Sequence, residues 1–207
     1  MIGLVLTIVS ISLSGVMAPG PITAATLAAG ARNRHAGAWI GAGHVLVELP
    51  LILLLVAGLD TFLKGKGIQA GIGLVGGVLL MLMGLQLAIA ARKPDSAPVA
   101  PVQRHPLWIG VVLSGANPYF LLWWATIGLT LTGRAMEFGL AALVLFALIH
   151  WLCDLGWLEV LSMAAFKGSQ AFGNRSRKAI SLICAVVLLG FGVKFIYDAA
   201  SALSVVE

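Results

Sequence analysis

Apolar residues run along this chain in long stretches separated by short polar intervals. A membrane-spanning helix needs about 20 mostly apolar residues. Six segments reach that length: 2–29, 37–62, 68–91, 107–132, 136–166 and 178–202. The longest polar interval, R-K-P-D-S-A-P-V-A-P-V-Q-R-H-P from Arg92 to Pro106, is rich in proline and charge. Such a sequence cannot continue a helix and reads as a linker. The pattern therefore predicts an all-α integral membrane protein with a three-helix unit over 1–91, a linker over 92–106 and a second three-helix unit over 107–207.

Composition agrees with this class. Of 207 residues, 60% are hydrophobic and only 10% are charged, which excludes a soluble enzyme domain with a solvated surface. The net charge of +5 does not mark a nucleic-acid partner, because the basic residues lie between apolar spans rather than on one face. Cys153 and Cys184 fall inside apolar runs without metal-type spacing and read as buried packing residues. The first apolar segment could resemble a secretory signal ending at V-M-A, but it lacks a basic start and Pro19 follows directly. It reads as a retained first helix.

The charges orient the bundle. Intervals after spans one, three and five hold Arg32, Arg34, Arg92, Lys93, Arg104, Lys167, Arg175, Arg177 and Lys178, whereas those after spans two and four hold only Lys64, Lys66 and Arg134. The bias predicts cytoplasmic loops after the odd spans and both termini outside.

The two units echo each other. S-G-V-M-A-P-G-P at 14–21 has a counterpart in S-G-A-N-P at 114–118. H-V-L-V-E-L from His44 matches H-W-L-C-D-L from His150, and G-L-Q-L from Gly84 matches G-V-K-F from Gly192. Because each unit has an odd number of spans, the second must enter the membrane from the opposite side. That is an inverted-topology repeat, common among secondary transporters.

Prolines within spans one and four need explaining, since each costs roughly 3 kcal/mol in a helix interior. In lipid, irregular backbone survives only inside protein or along a polar cavity. Pro19-Gly20-Pro21 and Asn117-Pro118 lie at matching places, each about ten residues, or about 15 Å, from the expected cytoplasmic side. Paired breaks of this kind point to a binding site. The half-helices beyond them would offer N–H groups and a positive dipole end to a carboxylate, with the Asn117 amide adding to the site.

His44 and Glu48 are four apart, as are His150 and Asp154, so each pair shares one helix face. Ionisable groups at this depth cost at least ~2.5 kcal/mol for aspartate and usually serve transport. Other polar residues carry less meaning. His35 and His105 fall in loops and read as solvated, and Lys194 is near enough to a helix end to snorkel. Gly73 and Gly77 form a G-x-x-x-G suited to close helix packing.

A-P-G-P, G-H-V-L-V-E-L-P, A-N-P-Y-F-L-L-W-W-A-T-I-G and H-W-L-C-D-L-G-W together resemble the lysine-exporter (LysE/RhtB) family over nearly the whole chain. The resemblance implies export of amino acids across a bacterial inner membrane, driven by a proton or charge gradient. Pro19, Gly20 and Pro21 match the family's P-G-P element, and Asn117 with Pro118 its N-P element. Many members follow these elements with asparagine and lysine, where this chain has Ile22 and Tyr119, so no role is carried over to those two positions.

The leading expectation is a secondary exporter of amino acids or related small zwitterions. The half-helix termini, with Pro19, Gly20, Pro21, Asn117 and Pro118, would hold the carboxylate, and Glu48 and Asp154 the ammonium. His44 and His150, with the two carboxylates, would move protons, which suits a histidine pKa near 6.5. Its partners are a small-molecule substrate and the bilayer, with a homo-oligomer left open and no resident cofactor or metal expected. The alternative is a divalent-cation exporter, since two histidines and two carboxylates could coordinate zinc. A membrane-embedded hydrolase is set aside, because H-x-x-x-E is not H-E-x-x-H.

Overall fold

The structure, a computed structural model, describes residues 2–17, 20–58, 65–92 and 105–204. The described residues form helices joined by short turns, without strands: α1 (Ile2–Val16), α2 (Pro21–Gly30), α3 (Ala36–Val56), α4 (Lys66–Arg92), α5 (Pro106–Gly115), α6 (Pro118–Trp123), a π-helical turn (Trp124–Gly128), α7 (Leu129–Glu137) and α8 (Leu140–Ser204). Three helices are long and apolar enough to cross a bilayer alone: Ala36–Val56, Lys66–Arg92 and Leu140–Leu203. Two bent pairs qualify jointly, with a 75° bend between α1 and α2 and a 61° bend between α5 and the run from Pro118 to Glu137.

The expected loop between spans five and six differs from what is observed. Residues 167–177 are helical apart from Gly173, whose φ of 64° and ψ of −151° only glycine adopts readily. Leu158, before that break, and Phe191, after it, border one cavity. In a straight helix they would stand about 50 Å apart, so the chain folds back at Gly173.

Two hydrophobic cores form. One gathers Ala24 and Ala28 of α2, Ile40 of α3, Leu113 of α5, and Leu158, Leu188 and Phe195 of α8. The other gathers Ile8 of α1, Leu51 and Leu55 of α3, Trp124, Leu131 of α7 and Phe146 of α8. Side chains such as Leu53, Val75, Ile183 and Val186 point outward, more than half exposed. An apolar outer face of this kind suits lipid.

Glycines let the helices approach closely. A Cβ on Gly43 of α3 would collide with the Leu107 carbonyl of α5, and one on Gly110 of α5 with the Ile40 carbonyl of α3. The backbones of α3 and α5 are therefore in direct contact. The Gly73 and Gly77 stripe packs α4 on α8 as expected. A Cβ on Gly77 would lie 2.8 Å from the Gly192 carbonyl, and one on Gly192 would lie 3.0 Å from the Gly77 carbonyl.

Candidate functional site

Proline and glycine set the two helix starts that face the site. Gly20 is extended, and Pro21 opens α2 at a position where its missing N–H costs nothing. No side chain caps that first turn. Pro19 lies outside the described residues. At the second start Pro118 opens α6, and Asn117 Oδ1 accepts from the Tyr119 N–H (3.0 Å) and, more weakly, the Phe120 N–H (3.4 Å). The Asn117 side chain thus serves as a helix cap, a use the expected substrate contact did not include. Gly20, Pro21 and Asn117 all border a cavity of about 450 Å³.

The ionisable residues meet between the two cores. Along α3 the order is Ile40 in one core, then His44 and Glu48, then Leu51 in the other. Along α8 it is Phe146, His150, Asp154, Leu158, in the opposite sense. All four polar side chains are buried, Glu48 at 1% exposure. His150 Nε2 lies 3.0 Å from Glu48 Oε1 and 3.5 Å from Asp154 Oδ2, while His44 Nε2 lies 3.8 Å from each of these oxygens. Neither oxygen has an aligned hydrogen-bond donor, and both imidazole Nε2 edges face both carboxylates. His44, His150 and Asp154 border the cavity, and Glu48 sits behind them.

Two serines, missed in the sequence, hold the histidines. Ser114 Oγ donates to the Gly110 carbonyl (2.7 Å), so it must accept from His44 Nδ1–H at 2.6 Å. That fixes the proton on Nδ1 and turns Nε2 to the carboxylates. On the other side a hydrogen bond of 2.7 Å joins His150 Nδ1 and Ser12 Oγ. The pairing crosses between the chain's two segments: α3 to α5, and α8 to α1.

Aromatic rings complete the walls. Trp123 stacks on His150 with centroids 5.2 Å apart, and Phe120 meets His44 edge-on at 4.8 Å. The π-helical turn re-phases the helix so that Trp124, fully buried, packs edge-on against His150. Outside the cavity, His35 is not simply solvated: its Nδ1 lies 2.5 Å from Glu159 Oε1, while Glu159 Oε2 accepts from the Ala38 N–H at the start of α3. His105 is likewise engaged, its Nδ1 accepting from the Leu107 N–H as the cap of α5. Lys194 pairs with Asp198 at 3.0 Å, and Asp198 also accepts from the Tyr119 hydroxyl at 3.0 Å.

Such an arrangement offers a positive helix end, a buried carboxylate and an apolar wall around one small cavity. Comparison with known proteins agrees. Residues 13–199 match the family described as LysE type translocator. The chain is also 26% identical over 184 residues to "Putative amino acid efflux protein YcgF" of Bacillus subtilis (strain 168), covering 86% of this chain and 88% of that protein. No solved structure matches significantly. The chain belongs to the LysE type translocator family and is a membrane transport protein, not an enzyme.

Proposed function

We propose that this protein is a secondary exporter of amino acids or related small zwitterions, coupled to the proton or charge gradient of a bacterial inner membrane. The observation that carries the reading is convergence: both helix starts and three of the four ionisable side chains border the same cavity. The printed name of the Bacillus subtilis relative points the same way. The substrate carboxylate sits at the first turn of α2, where N–H groups and the helix dipole favour an anion. Its ammonium pairs with Asp154, with Glu48 adding negative potential from behind. His44 and His150 exchange protons with the carboxylates through Nε2, each held by its serine.

The architecture proposed with this function is six spans in two inverted three-helix repeats, 1–91 and 107–207, joined by the linker 92–106. The reciprocal contacts of Gly77 with Gly192, and of each histidine with a serine of the other segment, support it. Loops after the odd spans are cytoplasmic and the termini are outside, as the basic residues favour.

A divalent-cation exporter is the second reading, favoured by one observation: side-chain donor atoms of His44, Glu48 and Asp154 lie within 4.8 Å of one another. It leaves the two helix starts without a task. The test is efflux from proteoliposomes loaded in turn with labelled amino acids, with and without a pH gradient. Gradient-dependent efflux that disappears in the Glu48→Gln, Asp154→Asn double variant is expected. Full efflux by that variant would overturn the mechanism. Stoichiometric zinc or cadmium binding, without amino-acid transport by the parent, would select the second reading.

A further inference from the structure

We infer that the substrate is an amino acid whose side chain is uncharged and apolar, of branched-aliphatic to aromatic size. This inference rests on the exporter reading above and follows from the polar groups of the cavity wall, most of which are already committed. Ser14 Oγ donates to the Ile11 carbonyl (2.7 Å), and Asn117 Oδ1 caps α6. The Tyr119 hydroxyl donates to Asp198. His44 and His150 give Nδ1 to serines, and Thr23 is also engaged.

Three polar features of the described wall lack a hydrogen-bond partner, one of them the buried Trp124 indole N–H, a single neutral donor that cannot meet a charged side chain. Asp154 Oδ2 is buried without a hydrogen-bond partner on a residue only 6% exposed. The first turn of α2 has no side-chain cap. Of these last two, one takes an α-ammonium and the other an α-carboxylate, groups that every amino acid carries. The remaining wall is Val16, Ile22, Phe120, Trp123, Leu158 and Phe191. A volume of about 450 Å³ falls within the usual range for one small ligand.

Charge bookkeeping then discriminates among side chains. Asp154 is the sole acidic residue on the described wall, and the α-ammonium occupies it. A lysine or arginine side chain would bring a second cation into apolar surroundings with no carboxylate left to meet it. Desolvating an unpaired ion there is prohibitive. An acidic side chain finds no lysine or arginine on the described wall, since Lys194 lies outside it, paired with Asp198, and the Nε2 edges of His44 and His150 already face Glu48 and Asp154. A hydroxyl finds few uncommitted partners, whereas a leucine or phenylalanine side chain displaces water from Phe120, Leu158 and Phe191 and gains by doing so.

The test uses the full-length protein in proteoliposomes loaded with labelled leucine, with unlabelled competitors inside. Isoleucine, methionine and phenylalanine should each cut leucine efflux at least tenfold at saturating excess, while lysine, arginine and glutamate at the same excess should leave it within twofold. In the Phe191→Asp variant, which adds a second carboxylate to the wall, leucine efflux should fall at least tenfold, and in Phe191→Leu less than threefold. Efflux of lysine or glutamate by the parent as fast as leucine would overturn this assignment while leaving the exporter reading intact. Absence of efflux for all the common amino acids, from folded protein, would overturn both.

Discussion

Removing the Ser114 hydroxyl isolates the crossed pairing at the heart of the site. In Ser114→Ala, the His44 Nδ1–H, on a side chain 7% exposed, loses its acceptor among the described residues. Leaving a buried donor unpaired costs about 1–3 kcal/mol. In a His44→Phe background the same change should cost little, because Ser114 Oγ still has the Gly110 carbonyl as acceptor and its removal strands no donor. The difference between backgrounds is the coupling energy, about 0.5–3 kcal/mol for a contacting pair. Thermal unfolding of the purified protein in detergent reads it, at roughly 2–4 °C per kcal/mol for a chain of this size. A crossed control sharpens the test. His150→Phe leaves the His44 pairing intact, so Ser114→Ala should remain costly there. Equal penalties in the parent and in His44→Phe would refute the hydrogen bond and the proton assignment built on it.

Asp154→Asn should slow amino-acid efflux roughly 10- to 150-fold, the equivalent of a charge-assisted contact of about 1.5–3 kcal/mol. Unfolding temperature should not drop, because Glu48 stays 3.0 Å from His150 Nε2; parental efflux would refute the ammonium contact. Gly43→Ala should destabilise by about 1–3 kcal/mol or more through its collision with the Leu107 carbonyl. Gly133→Ala in α7, where nothing lies within 4 Å, should be neutral or gain up to about 1 kcal/mol; matching effects in unfolding assays would contradict the packing. In a background lacking Cys153 and Cys184, a cysteine at Ser96, outside the described residues, should resist impermeant thiol reagents added to intact cells. Ready labelling would reverse the proposed orientation.

Much of the candidate site's geometry was legible because its signals are local and costly. Pro21 and Pro118 mark helix starts that an apolar run has no other reason to contain, and the four-residue spacing of His44–Glu48 and His150–Asp154 puts each pair on one face. What escaped depends on contacts between distant segments. Ser12 and Ser114 look like any hydroxyl in an apolar helix, where bonding to the carbonyl four residues back is the ordinary use. Only the approach of α5 to α3 gives Ser114 a histidine. Asn117 carried an ambiguous signal, since the same side chain suits a cap or a ligand contact. Gly173 was hidden by the charged residues around it, which read as a loop although the backbone stays helical on both sides. Glu159 and His35 are 124 residues apart in sequence, and no local pattern joins them.

Because the chain is made from its N-terminus, the crossed pairing of histidines and serines can close only after both segments have been synthesised. When α3 enters the bilayer, His44 and Glu48 arrive without Ser114, His150 or Asp154, all of which are still to be synthesised. The polar side chains of α3 can therefore gain these partners only once α5 and then α8 have joined α1–α4.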